Sequence, residues 1–190
     1  MSPESVSISC AALELRPPRF DDADAFCTAA KESVELVGRW LPWCHEKYHR
    51  DDSIAWIDAS REAWTADDYY PLVIVDRQDG ALLGGVGINE IDRLRRRANL
   101  GYWVRSSRMR HGVATRAARL AAEWGFRALG LQRIEIVAAT GNYASQRVAT
   151  KLGALCEGIA RNRLRVRDVP TDAWIYSLVP SDLQQWLTPC

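Results

Sequence analysis

The chain has 190 residues, 47% of them hydrophobic, which is enough for one core-bearing domain spanning 1–190. Its 25 Lys and Arg against 24 Asp and Glu leave a net charge of +1, so no global charge drives it toward nucleic acid or a membrane surface, and any anion must be bound locally. Cys10, Cys27, Cys44, Cys156 and Cys190 are odd in number and lack CxxC spacing, which argues against a disulfide framework or a structural zinc. The leading "MSPESVSISCAALELRPP" lacks a basic head followed by an apolar run, and no stretch approaches the roughly 20 apolar residues of a membrane span. The expectation is a soluble cytoplasmic protein.

In chain order, "VSISCAALELRPP" alternates as a first strand stopped by Pro17 and Pro18. "FDDADAFCTAAKESVELVGRWL" has helical spacing, with Ala23, Phe26, Ala30, Val34 and Val37 on one stripe and Asp21 or Asp22 as its cap. "DDSIAWIDASREAW" predicts a second helix from Asp51 or Asp52, carrying Ile54, Ile57 and Trp64. The period then changes. "YYPLVIVDRQDGALLGGVGINEID" holds two β-rich runs joined by Asp79-Gly80, a hairpin signal. "RLRRR" (93–97) reads as a loop and "ANLGYWVRS" as another strand. A helix from Val113, the strand "RIEIVAAT", a short helix from Asn142 to Leu152 closed by Gly153, and strands around 155–166 and 172–179 complete the chain, with "RVRDVPTD" as the last turn. The predicted order is β–α–α–β–β–β–α–β–α–β–β, without internal repeat or linker.

The segment "RMRHGVATRAARLAAEWGF" (108–126) concentrates cations around one glycine at the front of a helix. The first N–H groups of a helix lack intrahelical partners, and the helix dipole adds about half a positive charge at that end. Gly112 lets the backbone curl and a ligand approach without a side chain in the way. Arg108 and Arg110 add attraction, so the segment predicts a phosphate cradle. The alternative is a basic loop before an ordinary helix. Neither GxxxxGK[ST] nor GxGxxG is present, so a nucleotide P-loop and a dinucleotide fold are excluded.

"GYWVRSSRMRHGVATRAARLAAEWGF" followed by "RIEIVAATGNYASQRVATKLGALCEG" resembles the GNAT superfamily of acetyl-CoA-dependent N-acetyltransferases, in particular its RimJ/RimL-type branch, whose named members acetylate N-termini of ribosomal proteins. "RWLPWCHE" (39–46), "LLGGVGINEID" and "DAWIYSL" extend the resemblance over about 170 residues in matching order. It implies an α/β GNAT fold: a mixed, mainly antiparallel sheet of about seven strands with helices on both faces. Against the family's Q/R-x-x-G-x-G/A loop stand Met109, Arg110, His111, Gly112, Val113 and Ala114, with Met109 departing from the pattern.

The resemblance implies that the pyrophosphate of acetyl-CoA lies on the amides from Arg110 to Thr115 and that the pantetheine arm runs beside the strand ending at Trp103-Val104. That strand and the next would splay to admit the thioester. Asn142 would bond the cofactor arm and Ser145 would protonate the departing thiolate, although both residues also suit a helix N-terminus. Arg147 and Lys151, four apart on one side of a helix, would reach the 3′-phosphate or remain solvated. Glu90 is the candidate base, with a water chain as its substitute; the neighbouring strand offers Asn99 where the family often has a carboxylate. Asp172 matches a frequent family aspartate and reads as ordering the last hairpin. Trp40 and Trp43 would border the acceptor pocket or close the core.

The implied reaction is direct attack of an amine on the thioester in a ternary complex, with a protein or peptide N-terminus as acceptor, a ribosomal protein among the candidates. A small-molecule amine (an antibiotic, polyamine or amino-acid derivative) is the alternative within the chemistry, and a non-catalytic CoA-binding regulatory module the alternative outside it. Cys44, His45 and His49 lack a fourth partner for a metal site. "RLRRR" lacks interleaved aromatics for nucleic acid. Exposed strand edges permit a homodimer.

Overall fold

The structure is a computed structural model describing residues 6–186, with strands and helices running β1 (Ile8–Ser9), β2 (Leu13–Arg16), α1 (Ala23–Glu32), α2 (Arg50–Ala66), β3 (Tyr70–Asp76), β4 (Leu82–Asp92), β5 (Arg97–Val104), α3 (Val113–Ala128), β6 (Arg133–Ala139), α4 (Tyr143–Lys151), β7 (Leu155–Val166) and β8 (Val169–Leu178). The strands form one sheet in the order β1-β2-β3-β4-β5-β6-β8-β7. Every neighbouring pair is antiparallel except β5 and β6.

The sheet has eight strands rather than about seven because the first predicted strand folds back on itself. Cys10 N–H donates to Leu13 O at 2.9 Å, turning the chain at Ala11 and Ala12. The predicted first helix also ends early, at Glu32. Ser33 closes it by donating its hydroxyl to Ala29 O at 2.6 Å while accepting Ser106 N–H at 3.0 Å. A side chain bonded to the preceding turn and claimed by a distant backbone amide competes with continued helix, and residues 33–40 become a series of turns. Asp22 holds the entry to α1 by accepting Arg19 N–H at 2.7 Å and pairing with Arg16 at 2.7 Å, where both side chains are largely buried. The last turn is shorter than predicted, with only Arg167 and Asp168 between β7 and β8.

Alternation along β3 builds two cores. Tyr70, Leu72 and Ile74 join α3 residues such as Ala117, Ala121 and Phe126 on one face. Val73 and Val75 meet Phe26, Ala29 and Ala30 of α1 on the other. Helices thus cover both faces. Gly125 brings α3 close to the sheet, since a Cβ there would lie 2.7 Å from Ile88 Cδ1. The Asp79-Gly80 turn forms as predicted, with Gly80 at φ +72° and its N–H on Asp76 O at 2.9 Å. Among the described residues no helix is long and apolar enough to cross a membrane.

Candidate functional site

The parallel pairing of β5 with β6 runs from Arg97↔Arg133 only to Asn99↔Glu135. Beyond Asn99, β5 stays on β4 through Val104 while β6 follows β8 through Ala139, so the two strands separate and open a slot. Trp103 and Val104 lie on the slot side of that opening, at the end of β5. The Trp103 ring turns the other way, edge-on to Phe26 at 5.2 Å and to Trp43 at 5.1 Å.

Past β5 the chain makes a short 3₁₀ turn (Ser106–Arg108) and enters the glycine loop. Arg110 (φ +66°) and Gly112 (φ +76°) are both left-handed, and Gly112 is the N-cap of α3. The first intrahelical bond is Arg116 N–H to Gly112 O at 3.0 Å, which leaves the amides of Val113, Ala114 and Thr115 directed out of the helix end. Met109 packs partly buried against the main core, which explains an apolar residue at that position: it anchors the loop from below. His111 and Arg110 are exposed.

Two features fit this loop to an anion. A Cβ on Gly112 would sit 3.1 Å from Arg116 Nη1, so the glycine keeps the guanidinium over the cradle, and Arg116 Nε is buried without a hydrogen-bond partner. Arg116 also lines a cavity of about 480 Å³ with His111, Arg108 and Arg77. Nothing in the sequence separated Arg116 from the other helix arginines; only its position above Gly112 does. The loop is clamped from α1. Arg105 pairs with Glu32 at 2.6 Å, and Ser107 donates to the same carboxylate through its hydroxyl at 2.7 Å and its N–H at 3.2 Å. Bonding to the Arg105 guanidinium, aided by Ser107, holds the Glu32 carboxyl down at about 2.

Across the slot, Asn142 caps α4 and its Oδ1 accepts Ser145 N–H at 3.2 Å. That bond uses the Asn142 oxygen and leaves its amide nitrogen for other contacts. The Tyr102 hydroxyl donates to Ser145 O at 3.1 Å and lies 3.1 Å from Ser145 Oγ. Burial pushes the Tyr102 phenol well above its ordinary range, so it remains a neutral donor. Tyr102 is a site residue that sequence reasoning missed; in "GYWVRS" it carries no signal beyond β alternation. Arg147 and Lys151 are both exposed along α4.

On the α1–α2 side of β4 and β5 lies a cavity of about 410 Å³. Its floor is glycine-rich because Gly85 faces Trp103, Gly87 faces Gly101, and Asn89 faces Asn99 across the two strands. Asn99 donates its amide to Asn89 Oδ1 at 2.8 Å, while Asn99 Oδ1 is buried without a partner. Trp43 lines the cavity, as do Tyr69 and Trp56. Trp40 instead reaches toward α4: a Cβ on Gly141 would lie 3.2 Å from the Trp40 ring, whose face carries Arg39 at 5.1 Å.

Glu90 follows Asn89 but sits on a β4 bulge at φ +50°, 60% exposed and paired with Arg163 of β7 at 2.9 Å. Asp172 accepts Asn162 N–H at 2.8 Å and so orders the β7–β8 hairpin. Cys44 Sγ donates to Ala30 O at 3.3 Å, and His49 caps α2, with its N–H on Asp52. Among the described residues no group of three His, Cys, Asp or Glu side chains is placed to hold a metal ion. Three of the four arginines of 93–97 pair with carboxylates, Arg93 with Asp67, Arg95 with Asp92 and Arg97 with Asp92 and Glu135.

The structure thus places a sheet splayed between its parallel strands, a glycine entry to a helix beside the splay and a half-open pocket on the other face of the sheet next to one another. Residues 12–155 match the model of the acetyltransferase (GNAT) domain, and the chain belongs to that family. It is an acetyltransferase by family, and acetyl-CoA is the donor that goes with it. The chain is 32% identical over 139 residues to a Bacillus subtilis (strain 168) protein named "Putative ribosomal N-acetyltransferase YdaF", covering 65% of this chain and 76% of that one. Among solved structures it is similar to a "putative ribosomal-protein-serine acetyltransferase" of Vibrio cholerae (28% identity, TM-score 0.80, 95% and 100% coverage). It is also similar to Mycobacterium smegmatis RimJ in complex with CoA-disulfide (25% identity, TM-score 0.87, 96% and 92% coverage).

Proposed function

We propose that this enzyme transfers acetyl from acetyl-CoA to the α-amine of a protein or peptide N-terminus, in the manner of ribosomal-protein acetyltransferases. The observation carrying this reading is the meeting of both halves of the site at one point, where Tyr102, on the splayed strand, holds Ser145 at the N-terminus of α4. The names of the Bacillus subtilis and Vibrio cholerae relatives support the acceptor class.

In this reading the amides of Arg110 to Thr115 hold the pyrophosphate, with Arg116 above them. The slot edge of β5 at Trp103-Val104 and the Asn142 amide line the arm, and Arg147 and Lys151 face the 3′-phosphate. Bound acetyl-CoA supplies the thioester at which the amine is acylated. Ser145 Oγ donates a proton to the leaving sulfur and recovers one from solvent water, while the neutral Tyr102 hydroxyl fixes its orientation. An α-amine of pKa about 8 is already ~10% neutral at pH 7, so a modest proton acceptor suffices. Glu90, beside the cavity residue Asn89, takes that proton through water. Trp43 and Trp40 border the acceptor on either side of the slot.

Thiol release from acetyl-CoA tests the reading with peptides whose N-termini are free or blocked. Turnover confined to free N-termini is expected. Equal turnover of blocked peptides bearing lysine would overturn it.

A further inference from the structure

The cavity on the α1–α2 face is larger and more apolar than a small first residue requires. Its volume of about 410 Å³ lies within the range of about 300–1,000 Å³ typical of whole small-molecule sites. Its walls are aromatic and brace one another. Phe26 stacks on Trp56 at 4.4 Å, and Trp43 meets Trp103 edge-on at 5.1 Å. Such walls do not collapse easily, so the space persists without a ligand.

The floor shows that the space is reserved. A Cβ on Gly101 would meet nothing within 4 Å, and Gly101 has no left-handed backbone that would demand glycine. Neither packing nor conformation explains the missing side chain. Gly101 lies two residues past Asn99, where β5 and β6 part, so the cavity floor adjoins the slot. The polar side chains of the lining are His45, Tyr48, Asp52, Tyr69, Asn89 and Tyr102, four of them aromatic rings. Burial pushes the Tyr69 phenol up to about 12, leaving a neutral hydroxyl. The one carboxylate in the lining, Asp52, is engaged through Oδ2 by His49 N–H at 2.7 Å.

We infer that the acceptor carries a large apolar group beside its amine, which fills this cavity over Gly101. Resting on the N-terminal reading above, this means a peptide whose first residue is bulky and apolar, such as Phe or Leu, rather than Ala or Ser. A single missing methylene in an apolar pocket already discriminates by about 10- to 200-fold.

The test measures kcat/KM by thiol release for otherwise identical free-N-terminus peptides beginning with Phe, Leu, Ala, Ser or Lys, alongside 2-phenylethylamine and ethanolamine. Phe and Leu peptides are expected to exceed Ala and Ser peptides at least 10-fold. Gly101→Val and Ala55→Trp, which narrow the cavity from floor and rim, are expected to bring that ratio toward one, with thermal melts checking that both variants fold. Ala, Ser or Lys peptides matching or exceeding the Phe peptide would overturn the inference and leave N-terminal acetylation standing. Turnover of 2-phenylethylamine over ethanolamine with no peptide turned over would support the cavity's apolar preference and overturn the N-terminal reading. Silence with every acceptor, while acetyl-CoA binding is detected calorimetrically, would overturn both.

Discussion

The two halves of the site are made in different ways. The phosphate end of the proposed donor half is one contiguous stretch of chain, Arg105 to Arg116, built around backbone amides and two left-handed residues, Arg110 and Gly112. The acceptor half is assembled from side chains on α1, the turn segment, α2, β3, β4 and β5. A site made of backbone tolerates exchange of side chains, which is why Met109 can replace a polar residue and serve as an anchor. A site made of side chains from many elements changes its ligand with any one of them. The donor half is therefore expected to be common to the family, and the acceptor half to be this protein's own.

Variants that act on one half and spare the other sharpen that contrast. The largest effect is expected from Ser145→Ala, which removes the proposed proton donor at the junction. A positioned general acid contributes about 10²–10⁴-fold, so kcat is expected to fall about 100-fold with little change in acetyl-CoA affinity, read from steady-state kinetics and calorimetry. Gly112→Val forces a β-branched residue to φ +76° and crowds Arg116. Losing two bonds to charged oxygens at about 1.5 kcal/mol each raises the acetyl-CoA Kd by roughly 100-fold. The order of preference among acceptors is expected to survive. A changed preference would show that the halves are not separable.

Tyr102→Phe keeps the ring and removes the hydroxyl behind Ser145. About a 10-fold loss in kcat is expected, below the range for a direct proton donor because Tyr102 acts through Ser145. Glu32→Gln weakens the clamp on the loop and should lower stability by about 1–3 kcal/mol, as for hydrogen bonds to a charged group. Because the folded carboxyl is held at about 2 against 4.5 unfolded, its contribution is complete above pH 4.5 and is lost as pH falls toward 2. Glu157, held at about 2 by Arg133 and Ser177, titrates in the same direction. Acid unfolding followed by circular dichroism should therefore be shallower in Glu32→Gln. Glu90→Gln should have the smallest effect, about threefold in kcat/KM near pH 7, since ~10% of an α-amine is already neutral there.

The same division governs what the sequence disclosed. The hairpin at Asp79-Gly80, the glycine entry to α3 and the Asn142 cap of α4 are local devices, and each forms within a residue or two of its predicted place. The fold-back at Cys10, closed by Leu13 and braced by Arg77 on Cys10 O and Ala12 O, the end of α1 at Ser33 and the bulge at Glu90 all involve partners far along the chain, and no local pattern carries them. Ser33 is claimed by Ser106, and Glu90 is held by Arg163. The aromatic cavity was the least legible. Trp43 was singled out as one tryptophan of a pair, but its neighbours Phe26, Trp56 and Trp103 lie 17, 13 and 60 residues away in sequence. Arg116 and Tyr102 gained their significance only through tertiary placement, above Gly112 and behind Ser145.

The central claim, acetylation of an N-terminal α-amine, is tested most directly by locating the acetyl group. A peptide with a free N-terminus, a Phe first residue and an internal lysine would be incubated with enzyme and acetyl-CoA, and the product sequenced by tandem mass spectrometry. A single acetyl group on the α-amine is expected, absent from the Ser145→Ala reaction at matched times. An acetyl group on the lysine side chain, with the N-terminus left free, would contradict it.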